Sequence, residues 1–214
     1  MSLVLPPLYM ILDAALLTTS ELDAARKLAD AGVRLFQYRN KRGSSRELLQ
    51  ASSALAAELV PRGALFFVND RPDVAFLSGA NGVHLGQHDL PAAEARIVLG
   101  AGRFLGISTH NLEQFRAAAA TGADYVAIGP VFATDSKANP DPVVGTAMIR
   151  EARKLTRKPI VAIGGISLER AKEVIEAGAD SVAVISDVLR APDPAKRARQ
   201  FLDLLEPLTR SAKN

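Results

Sequence analysis

Short apolar runs rich in Val, Ile and Phe alternate along this chain with Ala-, Leu- and Glu-rich stretches of helical period, the pattern of repeated βα units and a parallel sheet. Eight runs read as strands: Leu8 to Leu12, Val33 to Tyr38, Leu65 to Val68, Gly82 to Leu85, Phe104 to Ser108, Tyr125 to Gly129, Ile160 to Ile163 and Val182 to Ser186. Several of the intervening helices carry recognisable starts. Ser20 with Asp23, Ser44 or Ser45 with Glu47, and Asn111 with Gln114 each pair a polar cap with a partner about three residues on. Pro91, Thr146 and Ser167 open the helices after the fourth, sixth and seventh strands, and a last helix runs from about Ala195 to Leu205 with Phe201, Leu202 and Leu205 on one face.

A weak repeat precedes every second strand: Ala31-Gly32-Val33, Gly79-Ala80-Asn81-Gly82-Val83, Gly122-Ala123-Asp124-Tyr125-Val126 and Gly178-Ala179-Asp180-Ser181-Val182. Gly stops the helix and a short polar residue turns the chain into the next strand. Eight units with this quasi-fourfold order, in 214 residues and with no linker-like stretch, predict an α/β fold, a single (β/α)₈ TIM barrel spanning residues 1–214. An open doubly wound sheet fits the length less well.

In such a barrel, chemistry sits at the C-terminal ends of the strands. The second strand ends in Gln37-Tyr38-Arg39-Asn40-Lys41, where residues two apart share a face, so Gln37, Arg39 and Lys41 point the same way. Asn69-Asp70 follow the third strand, Gly86-Gln87-His88-Asp89 the fourth, and Ser108-Thr109-His110 the fifth. The sixth opens into a long polar loop from Val131 to Gly145 holding Thr134, Asp135, Ser136 and Lys137. Gly164-Gly165 follow the seventh strand, and Ile185-Ser186 close the eighth. The opposite strand ends carry mostly Ala, Gly and turn residues.

Asp70 and Asp89 leave neighbouring strands. They read either as a pair of hard oxygen ligands suited to Mg²⁺ or as caps of the helices after them. Gly164-Gly165 with Ser186 read as a phosphate cradle, against the plainer reading of a tight turn. Lys137 is either a second phosphate ligand or a solvated loop lysine. His84, inside a strand, reads as a satisfied buried group, His88 as exposed, and His110 as a helix-start residue or an acid–base group.

Composition narrows the partners. Lys and Arg number 26 against 23 Asp and Glu, spread along the chain without a basic arm, and aromatics make up 5 % with no Trp. That profile suits small anionic ligands and argues against nucleic acid. Cysteine is absent, which excludes disulfides and thiolate metal sites. The apolar run Leu3 to Leu17 is broken by Pro6, Pro7 and Asp13 and has no positive segment before it, so it reads as neither a leader nor a membrane span, and the expected location is cytoplasmic.

Arg39, Lys41, Lys137 and a Mg²⁺ ion, offset by Asp70 and Asp89, leave a formal excess of three positive charges. That suits a diphosphate better than one carboxylate. No Ser-His-Asp set and no placed Glu pair stands out, so electrostatic stabilisation of a departing diphosphate is the chemistry expected.

Taken together, Gln37-Tyr38-Arg39-Asn40-Lys41, Val68-Asn69-Asp70, Gly82-Val83-His84-Leu85-Gly86-Gln87-His88-Asp89, Ser108, Gly129-Pro130-Val131-Phe132 with Thr134-Asp135-Ser136-Lys137, Ile163-Gly164-Gly165-Ile166 and Val184-Ile185-Ser186 closely resemble the thiamine phosphate synthase family over essentially the whole chain, Leu8 to about Leu189. Ser136 stands where that family more often has Thr.

The resemblance implies a transferase of thiamine biosynthesis. It would join 4-amino-2-methyl-5-hydroxymethylpyrimidine diphosphate to a thiazole monophosphate, or its carboxylated form, releasing pyrophosphate by a dissociative route. It further implies a pyrimidine-diphosphate site on Gln37 to Lys41, Asn69, Ser108 and Lys137, Mg²⁺ on Asp70 and Asp89, and a thiazole-phosphate site on Thr134 to Ser136, Gly165, Ile185 and Ser186. Arg39, Lys41, Ser108 and Lys137 would carry the catalysis. The implied partners are these two small molecules, with no nucleic acid or membrane and with homo-oligomerisation left open. The rival readings are a thiazole tautomerase of the same barrel family, in which His110 would lead, and a non-catalytic thiazole-phosphate-binding regulator.

Overall fold

A computed structural model of the chain describes residues 3–134 and 141–211. Eight parallel strands close on themselves in chain order: β1 (Leu8–Asp13), β2 (Leu35–Arg39), β3 (Leu65–Asn69), β4 (Gly82–Leu85), β5 (Phe104–Thr109), β6 (Tyr125–Ile128), β7 (Ile160–Ile163) and β8 (Ser181–Val184). The last strand pairs with the first, Met10 lying beside both Phe36 of β2 and Val184 of β8. The expected (β/α)₈ barrel is therefore the fold. Around it run α1 (Glu21–Asp30), α2 (Ser45–Leu59), α3 (Pro72–Ser78), α4 (Ala92–Leu99), α5 (Leu112–Ala120), α6 (Gly145–Leu155), α7 (Leu168–Glu176), the single turn α8 (Ser186–Leu189) and α9 (Pro194–Ser211). Among the described residues no helix is long and apolar enough to cross a membrane.

The three helix starts that pair a polar cap with a partner form by their expected chemistry, while those at Pro91 and Ser167 carry no side-chain cap bond and the helix placed at Thr146 begins at Gly145. Ser20 accepts from Asp23 N at 3.1 Å, Ser44 and Glu47 make a reciprocal capping box, and Asn111 accepts from Gln114 N at 2.9 Å. The polar residue of the repeat does more than turn the chain. Asn81 Oδ1 accepts from Phe66 N, Asp124 Oδ2 from Leu105 N and Asp180 Oδ2 from Ile160 N, at 2.7–2.8 Å. Each turn thus holds the first amides of the strand before its own, which ties neighbouring units together at the base of the barrel.

Three boundaries differ from expectation by two residues or more. Val33 stays in the helix-stop turn, its N–H bonded to Leu28 O, so β2 begins at Leu35. β8 ends at Val184 because Ser186 already starts α8. α9 continues past Pro207 to Ser211, beyond the predicted end at Leu205. Phe201, Leu202 and Leu205 are buried, as their shared face requires.

Strand alternation divides the apolar side chains into two cores. Leu8, Met10, Phe36, Phe66, Val83, Leu105, Val126 and Val182 face the helices. Tyr9, Ile11, Leu35, Phe67, Tyr125, Ala127, Val161 and Ala183 fill the barrel interior. Within it the Tyr9, Phe67 and Tyr125 rings meet at centroid distances of 5.5–6.1 Å, Phe67 and Tyr125 edge to face. β5 makes room for this group: a Cβ on Gly106 would lie 2.0 Å from Tyr125 Cζ. The bulky rings fill the lower barrel, and the polar side chains one step further along the strands line what opens above.

Candidate active site

A cleft of about 470 Å³ lies at the C-terminal ends of the strands. It exists there because the inward-facing positions turn from apolar to polar at the last residue or two of each strand. On β1 the inward run Tyr9, Ile11 ends in Asp13; on β2 Leu35 is followed by Gln37 and Arg39; on β3 Phe67 by Asn69; on β5 Gly106 by Ser108.

Of the residues singled out from sequence, Gln37, Arg39, Lys41, Asn69, Asp70, Asp89, Ser108, Thr134, Gly165, Ile185 and Ser186 all line this cleft. Tyr38 and Asn40 do not. They take the alternate face of β2, where the Tyr38 ring is buried against the helices and its hydroxyl donates to Glu21 at 2.9 Å; burial and that bond push its pKa up to about 12. The Asn40 carbonyl accepts from Gly43 N at 2.8 Å and organises the turn instead. Asp135, Ser136 and Lys137 lie outside the described residues.

The acidic pair converges. Asp70 and Asp89 stand within hydrogen-bonding reach of each other, and burial together with the Asp70 carboxyl raises the pKa of Asp89. Neither aspartate caps a helix. Asp89 Oδ2 accepts from Gly86 N at 2.6 Å and closes the β4–α4 turn, while α3 is capped at Arg71 and α4 at Pro91, without a side-chain bond in either case. Asp70 has a φ of 64°, among the described residues a positive value shared only with glycines, and its N–H bonds to His84 O. Lys41 Nζ contacts the Asp70 carboxylate from the β2 side.

Arg39 is held by a residue that the strand-end reading passed over. Asp13, 4 % exposed, contacts Arg39 Nη1 with one carboxylate oxygen and accepts from Ala15 N at 3.0 Å with the other. It removes one of the positive charges counted from sequence. Its signal was present: Asp13 is the charged residue ending an otherwise apolar strand. The hydrophobic pattern alone places the end of the first strand at Leu12, one residue short of it.

Across the cleft, the loop after β6 is built onto the turn after β7. Val131 N bonds to Ile163 O and Phe132 N to Gly164 O, at 2.9 and 3.0 Å. Gly165, at φ 62°, leaves no space for a side chain, since a Cβ there would stand 2.3 Å from Ala133 O. This turn and the start of α8 lie side by side at the cleft wall, with Ile185 and Ser186 lining it.

His84 is buried, with Nδ1 2.8 Å from the Tyr125 hydroxyl and Nε2 2.7 Å from Ser108 Oγ, the satisfied state expected of it. His88 is exposed at the rim. His110 lines the cleft, its Nδ1 2.6 Å from Gly129 O and 3.5 Å from Asp141 Oδ2.

The family description for thiamine monophosphate synthase matches residues 8–188. A thiamine-phosphate synthase of Koribacter versatilis is 51 % identical over 208 residues, covering 94 % of this chain and 96 % of the relative. One of Chlorobium phaeovibrioides is 46 % identical, covering 85 % and 87 %. Among solved structures, the thiamine phosphate pyrophosphorylase from Pyrococcus furiosus superposes with a TM-score of 0.86 at 34 % identity, over 94 % of this chain and 96 % of that one. By sequence and by fold, the chain belongs to the thiamine-phosphate synthase family.

Proposed function

We propose that this protein couples 4-amino-2-methyl-5-hydroxymethylpyrimidine diphosphate to 4-methyl-5-hydroxyethylthiazole phosphate, or its carboxylated form, giving thiamine phosphate and pyrophosphate. The observation that carries the reading is the two-sided cleft. Gln37, Arg39, Lys41, Asn69, Asp70, Asp89 and Ser108 stand on the β2–β5 side, and Gly165, Ile185 and Ser186 on the β7–β8 side. Two anionic substrates placed on these two sides meet over the apolar floor between them.

In this reading Gln37 and Ser108 orient the pyrimidine, while Arg39, Lys41 and Asn69 bind the diphosphate, with Lys137 as a further cation for it. As the bond between the pyrimidine methylene carbon and the diphosphate oxygen breaks, both electrons leave with the diphosphate. The cations facing it stabilise that developing charge, and Asp13 holds the Arg39 guanidinium in place for it. The methylene carbocation is captured by the thiazole ring nitrogen, which forms the new C–N bond with its own lone pair. No protein base is needed. Thr134, Asp135, Ser136, Gly165, Ile185 and Ser186 hold the thiazole phosphate. Backbone N–H groups of the Gly164-Gly165 turn and the Ser186 hydroxyl fit the usual phosphate position of this barrel class.

Asp70 and Asp89 fit Mg²⁺ as a site of two hard carboxylates on adjacent strand ends, where burial and the neighbouring Asp70 carboxyl disfavour the charged form of Asp89 and a cation would favour it. Among the described residues no group of three or more His, Asp or Glu gathers to hold a metal. A two-carboxylate site suits an ion that keeps water and phosphate oxygens in its shell. When bound, the ion would neutralise charge on the departing diphosphate.

The test is thiamine phosphate formation from the two purified substrates, with Mg²⁺ and with excess chelator. Product that depends on Mg²⁺ is the expected result. No product under either condition, with thiazole phosphate still bound, would overturn the reading in favour of proton-transfer chemistry on the thiazole.

A further inference from the structure

Across the floor of the cleft runs a chain of hydrogen bonds whose inner members, Tyr9, Tyr125 and His84, have no role in the reading above. Gln37 Nε2 donates to the Tyr9 hydroxyl at 3.0 Å, and the Tyr9 and Tyr125 hydroxyls lie 3.0 Å apart. Tyr125 continues to His84 Nδ1 at 2.8 Å, and His84 Nε2 reaches Ser108 Oγ at 2.7 Å. Tyr9, Tyr125 and His84 are 1 %, 0 % and 7 % exposed and Gln37, at one end of the chain, 2 %; all of the chain except Tyr125 touches the cleft, with Gln37 and Ser108 at its two ends.

Counting protons gives the chain a direction. Burial holds the pKa of both phenols well above the ordinary tyrosine value, so each keeps its single proton. The Gln37 amide nitrogen can only donate, so Tyr9 accepts there and turns its own proton to Tyr125. Tyr125 must then give its proton to His84 Nδ1. A neutral imidazole accepting at Nδ1 carries its hydrogen on Nε2 and donates it to Ser108. Run the other way, Tyr9 would accept from both neighbours, and its own proton would face no acceptor in the chain in a buried layer, an arrangement that folded proteins avoid.

We infer that this chain fixes His84 as the Nε2–H tautomer and leaves the Ser108 hydroxyl proton free to point into the cleft, so that this corner recognises a hydrogen-bond acceptor on a heteroaromatic ring. Tyr9, Tyr125 and His84 are positioning residues: they act through Gln37 and Ser108. The packing keeps the chain in register, because the Tyr125 ring stacks on the His84 imidazole at 5.5 Å and occupies the space that Gly106 leaves. The ring nitrogens of the pyrimidine are acceptors of the class required. The inference rests on the reading above for the statement that Ser108 faces that ring. The direction of the chain is independent of it.

The experiment is a two-bond ¹H–¹⁵N correlation spectrum of the full-length, ligand-free protein, with His84 assigned by its loss in His84→Gln. The expected pattern is a proton on Nε2 and none on Nδ1. A proton on Nδ1 reverses the chain and overturns the inference. In Tyr125→Phe, which keeps the ring and deletes the link, His84 should become a mixture of tautomers. KM for the pyrimidine diphosphate should rise about tenfold, about 1.4 kcal/mol of lost binding, with KM for the thiazole phosphate unchanged. A folded Tyr125→Phe with the parent tautomer and parent KM values overturns the positioning role. The wild-type spectrum needs no folded variant and no substrate. A protein inactive in coupling that shows the Nε2–H pattern would sink the proposed activity alone, and an active one showing Nδ1–H would sink the chain alone.

Discussion

Replacing Asp13 with alanine tests how the proposed diphosphate side of the cleft is held. The carboxylate is almost fully buried and serves two partners, the Arg39 guanidinium and the Ala15 amide. Arg39 is 21 % exposed in its side chain, so water replaces the lost partner only in part. Exposed ion pairs contribute about 0–1 kcal/mol and breaking a fully buried pair costs about 3–5. This pair falls between the two, at about 2 kcal/mol. The unmade bond to Ala15 adds about 1 kcal/mol. A total of about 3 kcal/mol corresponds to a fall in Tm of about 6–12 °C for a chain of this size.

The Asp13→Ala variant should therefore unfold well below the parent in a thermal melt, and KM for the pyrimidine diphosphate should rise because Arg39 is no longer oriented. Adding Arg39→Met should restore most of the lost stability, since no uncompensated charge is then left in the barrel, while coupling stays low. A fall in Tm of less than about 3 °C for the single variant would refute the argument. So would a double variant whose losses simply add.

The Asp70 backbone, at φ 64°, carries a second prediction: Asp70→Gly should be about 1 kcal/mol more stable than Asp70→Ala, because glycine alone takes that conformation freely, while both lose Mg²⁺-dependent coupling and keep thiazole-phosphate binding. Equal melting temperatures for the two would show that the turn is unstrained. Lys137→Ala should slow the bond-breaking step itself, read as substrate loss in a rapid-quench single turnover; an unchanged rate would remove Lys137 from the diphosphate. Gly165→Ala should push the loop after β6 off the β7 turn, through the 2.3 Å approach to Ala133 O, and raise KM for the thiazole phosphate at least tenfold while the pyrimidine KM moves little. Unaltered kinetics would mean that this turn does not shape the phosphate site.

Much of the site was legible because strand-end chemistry is local. Gln37, Arg39 and Lys41 share a face by the two-residue period alone, and the same period sends Tyr38 and Asn40 away from the cleft, although the family motif spans the whole segment. Asp70 and Asp89 could each have capped a helix; the choice turned on the Asp70 φ and on Gly86, whose amide the Asp89 carboxylate takes. Asp13 was missed for a different reason. The charge at the end of an apolar strand marks Asp13 as unusual, but its partner stands on the neighbouring strand, 26 residues further along the chain, and nothing within β1 names that partner.

Hydrophobic period, cap spacing and the repeated Gly-Ala-Asn/Asp turns determined the strand order and the barrel, because each is set by neighbours a few residues apart. With those came the list of polar residues at the C-terminal rim and, through their combined motifs, the family. Pairings across strands were decided only by closure of the barrel. It placed Asp13 against Arg39, Asp70 against Asp89, and Gln37, Tyr9, Tyr125, His84 and Ser108 in one hydrogen-bonded line. Such contacts depend on strand register and on the size of each interior side chain, down to the missing Cβ of Gly106. Neither is encoded in a local pattern. They emerge when all eight strands pack around one axis.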